Sequence, residues 1–152
     1  MNQYGYGEKL MNNVKDASDR HLTFEYNAKI LRGVDGDTVD ALVDLGFSVH
    51  RKIRVRLYGI NTPESRTRDL EEKKKGLAAK ARLNEILDEH DYEVIIRSHG
   101  IGKYGRCLGE LFYIRVELNE DDGEEFREEL KTSINNQLVV EGHGVRYYGG
   151  KR

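Results

Sequence analysis

The chain has 152 residues, with 25 basic and 27 acidic side chains, a net charge of −2, a pI near 6.2 and one cysteine. That length suits one domain with a core of its own, and one cysteine excludes an internal disulfide or a paired-cysteine zinc site. Composition (38% hydrophobic, 34% charged) fits a soluble protein, no apolar run approaches the ~18 residues of a membrane span, and the pI falls short of the ~9 of a dedicated nucleic-acid coat.

Residues 1–23 are polar and read as an N-terminal extension, with a short helix near residues 9–17. Their start has no apolar core of a secretory signal, so a cytoplasmic location and no membrane partner are expected. The globular domain is expected over residues 24–152. Residues 24–31 read as a first strand. In residues 38–45, Val39, Ala41, Val43 and Leu45 alternate with Asp40 and Asp44, a half-buried strand. Gly46-Phe47-Ser48 turns the chain, and Ile53, Val55 and Leu57 then alternate with Lys52, Arg54, Arg56 and Tyr58. Arg56 therefore stands opposite the apolar row.

Residues 69–90 change period. Ala79, Leu83, Ile86 and Leu87 fall at i, i+4, i+7 and i+8, one stripe of an amphipathic helix, and residues 77–87 read as helix core. Tyr92, Val94 and Ile96 restore the period of two, residues 106–116 hold another strand or bent pair, and residues 135–141 form a short helix stopped by Gly142. Five or so strands in meander order with one long helix predict an α+β, mainly β protein: a small OB-like barrel with packed helices.

Charge is distributed unevenly. Residues 50–56 (HRKIRVR) carry Arg51, Lys52, Arg54 and Arg56 with no acid, whereas residues 117–129 hold eight carboxylates against Arg127 alone. Net charge thus hides a polarised surface. The acidic stretch reads as a solvated loop or helix face.

Three polar segments interrupt the strands. Val34-Asp35-Gly36-Asp37-Thr38 offers two carboxylates that can gather around a hard cation such as Ca²⁺, and equally makes an ordinary Asp-Gly turn. Asn61-Thr62-Pro63-Glu64 contains the chain's one proline, which stiffens a loop leaving a strand. Glu64 there can orient or deprotonate a water; alternatively the segment is a strand-ending turn bonded by Ser65 and Thr67. Gly102-Lys103-Tyr104-Gly105-Arg106 suits a phosphate with a stacking ring beside it, or a plain turn with surface charges. Together they supply the parts for metal-assisted phosphodiester cleavage: oxygen ligands, a base and two arginines for the equatorial oxygens. The five histidines show no metal spacing, and Cys107, alternating away from Arg106, is expected in the core.

In these segments, in their order and spacing, the sequence resembles the staphylococcal (micrococcal) nuclease, or thermonuclease, family. Residues 135–142 (NNQLVVEG) and Tyr147-Tyr148 extend the match, which covers roughly residues 26–148. The resemblance implies a five-stranded OB-like barrel with packed helices. It implies Asp37 as the principal Ca²⁺ carboxylate with Asp35 as a secondary contributor, Asn61 and the Thr62 carbonyl as further ligands, and Glu64 as general base. Arg56 and Arg106 take the phosphate-binding positions, Lys103 and Tyr104 lie near a terminal phosphate, and Tyr147 or Tyr148 flanks the nucleotide. The family commonly has aspartate where this chain has Asn61, which removes a negative charge and implies weaker Ca²⁺ binding. Residues 117–133 are longer and more acidic than a tight hairpin needs and read as an insertion.

The activity implied is a Ca²⁺-dependent nuclease that attacks phosphorus in DNA, with RNA left open. It would break the P–O5′ bond and leave 3′-phosphate ends with little sequence specificity. Single-stranded substrate is expected, gripped in a salt-sensitive way. With no leader expected, the reading leans to an intracellular or phage-encoded role; oligomeric state is not fixed by the sequence. A different class, a non-catalytic OB-type nucleic-acid-binding module, would bind in chelator and never cut. A protein-interaction module working through the acidic stretch would do neither.

Overall fold

Alternating burial builds the barrel wall. In the computed structural model, which describes residues 24–149, β1 (Phe24–Asp35) pairs antiparallel with β2 (Thr38–Asp44), and β2 with β3 (His50–Leu57). The expected extension over residues 1–23, with its helix near residues 9–17, lies outside the described residues, as do the last three residues of the expected domain. Val39, Ala41 and Val43 of β2 and Val55 and Leu57 of β3 point inward, at most 3% exposed. β1 also pairs with β5 (Glu93–Ile101), and β5 with β6 (Cys107–Asp121), in both cases antiparallel. The sheet closes where β3 meets β6 in parallel, Val55 opposite Cys107, Arg56 opposite Leu108 and Leu57 opposite Gly109. The result is the expected OB-like barrel of five strands, β3-β2-β1-β5-β6.

The helices plug this barrel as their periodicity requires. α1 (Leu70–Glu89) starts at Asp69, whose side chain accepts from Glu71 N (3.1 Å) and Glu72 N (3.3 Å), capping donors that the first turn leaves open. Ala79, Leu83, Ile86 and Leu87 are buried as the stripe predicts, whereas Leu77, read as helix core, is 48% exposed because it lies off that stripe. α2 (Ile134–Val140) starts at Ser133 and buries Ile134, Asn135 and Leu138; Gly142 follows with φ +83°. Asn135 ties α2 to the β3–β6 closure. Its Oδ1 accepts from Leu111 N (3.1 Å), and its Nδ2 donates to Tyr58 O (2.9 Å) and Gly109 O (3.1 Å).

Beyond the barrel, β6 continues into a long arm with β7 (Glu124–Ser133). The acidic stretch, expected as a loop or helix face, is thus a β-hairpin. Its two-residue turn is Asp122-Gly123, both at positive φ (+50° and +80°), a combination that matches the twist of the flanking strands. Ile114, Val116 and Leu118 alternate along it, all at least 41% exposed. A second ladder pairs β4 (Gly59–Asn61) with β8 (Val145–Tyr147) and ties the segment after β3 to the end of the described chain. Among the described residues, no helix is long and apolar enough to cross a membrane.

Candidate active site

The β1–β2 turn, the end of β3 and the β4 segment meet at one edge of the barrel. β1 shifts register twice just before the turn, between Ile30 and Arg32 and between Gly33 and Asp35, and such bulges re-aim the residues beyond them. Asp37, 7% exposed, accepts from Thr62 N at Oδ2 (3.0 Å) and from Thr38 Oγ1 at Oδ1 (3.1 Å). Gly36 permits this closeness: a Cβ there would stand 2.7 Å from Ala79 Cβ and 2.9 Å from Thr62 Oγ1.

Arg56 sits beneath, 8% exposed. Alternation places it outside the barrel, as expected, but β4 folds back over it and takes the guanidinium into its own backbone. Nη1 donates to Ile60 O (2.8 Å), Leu57 O (3.1 Å) and Asp37 O (3.4 Å). Nη2 donates to Asn61 Oδ1 (3.2 Å) and stands 3.4 Å from Asp37 Oδ2. One planar donor therefore fixes Asp37, Asn61 and the strand between them.

Glu64 is exposed on the loop leaving this cluster, and that loop is held from two sides. Asp35 Oδ1 accepts from Ser65 Oγ (2.5 Å) and Ser65 N (3.3 Å), so Asp35 engages the loop rather than the Asp37–Asn61 group. The other anchor is Gly76 of α1, where a Cβ would lie 2.4 Å from the Glu64 carbonyl carbon and oxygen and 2.6 Å from Ser65 N. In the sequence, Gly76 is marked only as an isolated glycine inside a strong helical pattern. Ordinarily a helix-interior Gly→Ala change gains about 1 kcal/mol. Here Gly76→Ala is expected to lose about 1–3 kcal/mol in urea unfolding, because backbone cannot yield as a flexible side chain can. A stabilised variant would show that the helix–loop contact is slack.

Arg56 and Arg106 share a cleft of about 510 Å³, lined also by Thr38, Arg51, Lys52, Ile53, Arg54, Gly105 and Cys107. Asp40 orders its wall. It receives a fork from Arg54 (2.8 and 3.2 Å) and lies 3.4 Å from Arg32, and the Arg54 hydrogen bond, aided by the charges of Arg54, Arg32 and Lys52, holds its carboxyl below the usual range. Lys103 and Tyr104 occupy a short turn beside the cleft; the Tyr104 ring is 91% exposed, 5.9 Å from the Arg106 guanidinium. The tyrosine pair stands apart. Tyr147 lies opposite Gly59, and Tyr148 meets the Tyr58 ring edge-on at 5.4 Å; neither lines the cleft. Tyr58 is stacked in turn on His99 at 4.0 Å. Cys107, expected in the core, is half-buried where the basic cleft adjoins a smaller apolar cavity at the barrel mouth. The β5–β6 register shifts between Ser98 and Ile101, beside Cys107, and simple alternation fails there.

Among the described residues, no three His, Cys, Asp or Glu side chains cluster as metal ligands do. The Asp37 carboxylate and the Asn61 amide oxygen both stand within 3.4 Å of Arg56 Nη2, and Thr62 is bound to the same carboxylate through its N–H. Thr62 Oγ1 is the one buried side-chain polar atom of the described residues without a hydrogen-bond partner. An all-oxygen set with one carboxylate fits a hard divalent cation, weakly held and partly hydrated.

A family described as staphylococcal nuclease homologue matches residues 54–151. "Micrococcal nuclease" of Shigella flexneri is 31% identical over 129 residues, 82% of this chain and 62% of the relative, a share that necessarily takes in the Asp35–Asp37 turn. "Protein ParB" of Escherichia coli is 34% identical over 95 residues, 62% of this chain and 45% of the relative. The chain thus spans about half to three-fifths of the length of these curated relatives.

Proposed function

The chain belongs to the staphylococcal nuclease family, and from that premise we propose that it is a Ca²⁺-dependent nuclease that cuts single-stranded DNA, leaving 3′-phosphate ends. The observation that carries this reading is the buried Arg56, which gathers Asp37 and Asn61 beneath a cationic cleft it shares with Arg106. Asp37, Asn61 and the Thr62 carbonyl would hold the cation, which when bound would neutralise phosphoryl charge. Arg56 and Arg106 bind the non-bridging oxygens, whose charge grows in the transition state. Glu64 takes a proton from the attacking water, whose oxygen bonds to phosphorus as the P–O5′ bond breaks, and the leaving O5′, its charge stabilised by Arg106, takes its proton from solvent. Asp35, bonded to Ser65, acts by holding the Glu64 loop. Lys103 and Tyr104 border the strand's exit, and Tyr148 is the outer wall of an aromatic group that Tyr58 continues; Tyr147 supports it through β8.

Incubating labelled single-stranded DNA with Ca²⁺, Mg²⁺ or EDTA tests the proposal. Degradation with Ca²⁺, its loss in EDTA and 3′-phosphate termini are expected. Undiminished cutting in EDTA would overturn the metal's part. Binding without cutting in every metal would leave the non-catalytic module instead.

Asn61→Asp is expected to tighten Ca²⁺ binding on the order of tenfold, because a second carboxylate joins the set. Calorimetric titration measures this, and unchanged or weaker affinity removes Asn61 from the ligands.

A further inference from the structure

The β2–β3 hairpin carries a feature that the cleavage chemistry does not use. Its tip is Leu45-Gly46-Phe47-Ser48-Val49, and three successive residues there lie in the left-handed region: Gly46 at φ +78°, Phe47 at +51° and Ser48 at +60°. Glycine adopts this readily, but a bulky ring there costs of order 1–3 kcal/mol and persists only where the surroundings impose it. Hydrogen bonds from Leu45 N to Val49 O (2.8 Å), Val49 N to Gly46 O (2.9 Å) and Gly46 N to Asp44 Oδ1 (2.8 Å) impose it. The strain is not offset by burial within the chain. Phe47 is 102% exposed, with Leu45 and Val49 beside it at 41% and 52%. A rigid loop thus presents a bare aromatic ring to something outside the molecule.

The cationic cleft indicates what that is. It follows β3, from Arg56 through Arg54 and Lys52 to Arg51, which stands at the base of the tip. The five steps along the strand from Arg56 to Arg51 span ~17 Å at about 3.3 Å per residue, and the tip extends further. That distance corresponds to several nucleotides, within the ~4–16 that one OB-type barrel engages. A ring at the end of a phosphate track is the pairing that single strands require, since every base has a stacking face and backbone contacts alone carry no grip on it.

We propose, on the nuclease reading above, that the hairpin tip is a second contact for single-stranded nucleic acid. Phe47 stacks on an unpaired base several nucleotides from the phosphate at Arg56, and Arg51 and Lys52 hold the intervening backbone. Strands long enough to reach the tip are therefore bound more tightly than short ones, which favours cutting within a strand. Duplex is disfavoured at this contact, because its bases are already stacked. An apolar tip beside cations also suits an anionic lipid surface, but three apolar side chains bury little area, and the cations lead into the cleft rather than around the tip.

Fluorescence anisotropy of the full chain with labelled oligothymidylates of 4 and 12 nucleotides, in EDTA so that cutting does not intervene, tests this. The 12-mer is expected to bind wild type more tightly than the 4-mer. Phe47→Ala should weaken the 12-mer about tenfold, ~1.4 kcal/mol, within the range for one stacked base. Phe47→Trp should retain the affinity, and a 12-mer with an abasic site facing the tip should bind wild type as weakly as intact DNA binds Phe47→Ala. Thermal melts confirm that each variant is folded. Equal affinity of wild type and Phe47→Ala for the 12-mer, with wild type binding and cutting DNA, overturns the tip's assignment alone. Wild type that neither binds nor cuts overturns the nuclease reading and the tip with it. Phe47-dependent binding to phosphatidylserine vesicles, with oligonucleotide affinity unchanged, overturns it in favour of a lipid surface.

Discussion

Glu64→Gln is expected to lower kcat on single-stranded DNA by about 10²- to 10⁴-fold, the usual worth of a positioned general base. Glutamine keeps the size and reach of glutamate but cannot accept the proton. Because Glu64 is exposed, unfolding free energy should change by less than ~0.5 kcal/mol. The loop beneath also stays in place, since its anchors are backbone and neighbouring side chains: Pro63 stiffens it, Ser65 is bonded to Asp35, and Gly76 lies against the Glu64 carbonyl. A loss confined to kcat, with KM and the melting curve near wild type, is the signature of a group acting on the reacting water. Turnover within a few-fold of wild type would remove Glu64 from that role.

Residues whose neighbours are near in sequence are readable from it. The α1 stripe, the inward valines of β2 and β3, and the positive-φ stop at Gly142 each follow from a local period or a single backbone preference, and each is found. The Asp-Gly-Asp turn and the proline loop are legible as well, including Ser65 and Thr67 as loop-bonding groups, both of which are found bonded. Contacts made by chain returning from afar are not. A period of two assigns Arg56 to an outer face but cannot know that the next four residues fold back over it. Nor does any local pattern announce that three residues of β4 pair with three of β8, about 86 positions away, or that Asn135 bonds Tyr58 and Gly109. The acidic arm is a different failure. Its Asp122-Gly123 turn and the alternating Ile114, Val116 and Leu118 are visible in the sequence, but charge density reads as solvation and outweighs them.

The same fold-back alters what is expected of a conservative change at the buried arginine. As an outward residue on a strand, Arg56 would be replaced by lysine at the expense of turnover alone. Its observed surroundings predict a double loss: Arg56→Lys should lower unfolding free energy by about 2 kcal/mol and kcat by at least about 10²-fold. The guanidinium spans two groups of acceptors, the carbonyls of Asp37, Leu57 and Ile60 on one nitrogen and Asn61 Oδ1 with the Asp37 carboxylate on the other. An ammonium is a single point with three donors and cannot serve both. It keeps the charge that Asp37 needs, so the full penalty of breaking a buried pair, about 3–5 kcal/mol, is not expected. It leaves at least one buried carbonyl or the Asn61 amide unsatisfied, however, at about 1–3 kcal/mol each. Asn61 then loses its orientation, and Ca²⁺ affinity should fall together with kcat. Urea unfolding, Ca²⁺ titration and turnover measured at a temperature where the variant remains folded separate these effects. A variant that unfolds like wild type yet loses turnover would place Arg56 at the phosphate only. One that is destabilised yet turns over normally would make it a brace for the cluster with no part in the chemistry.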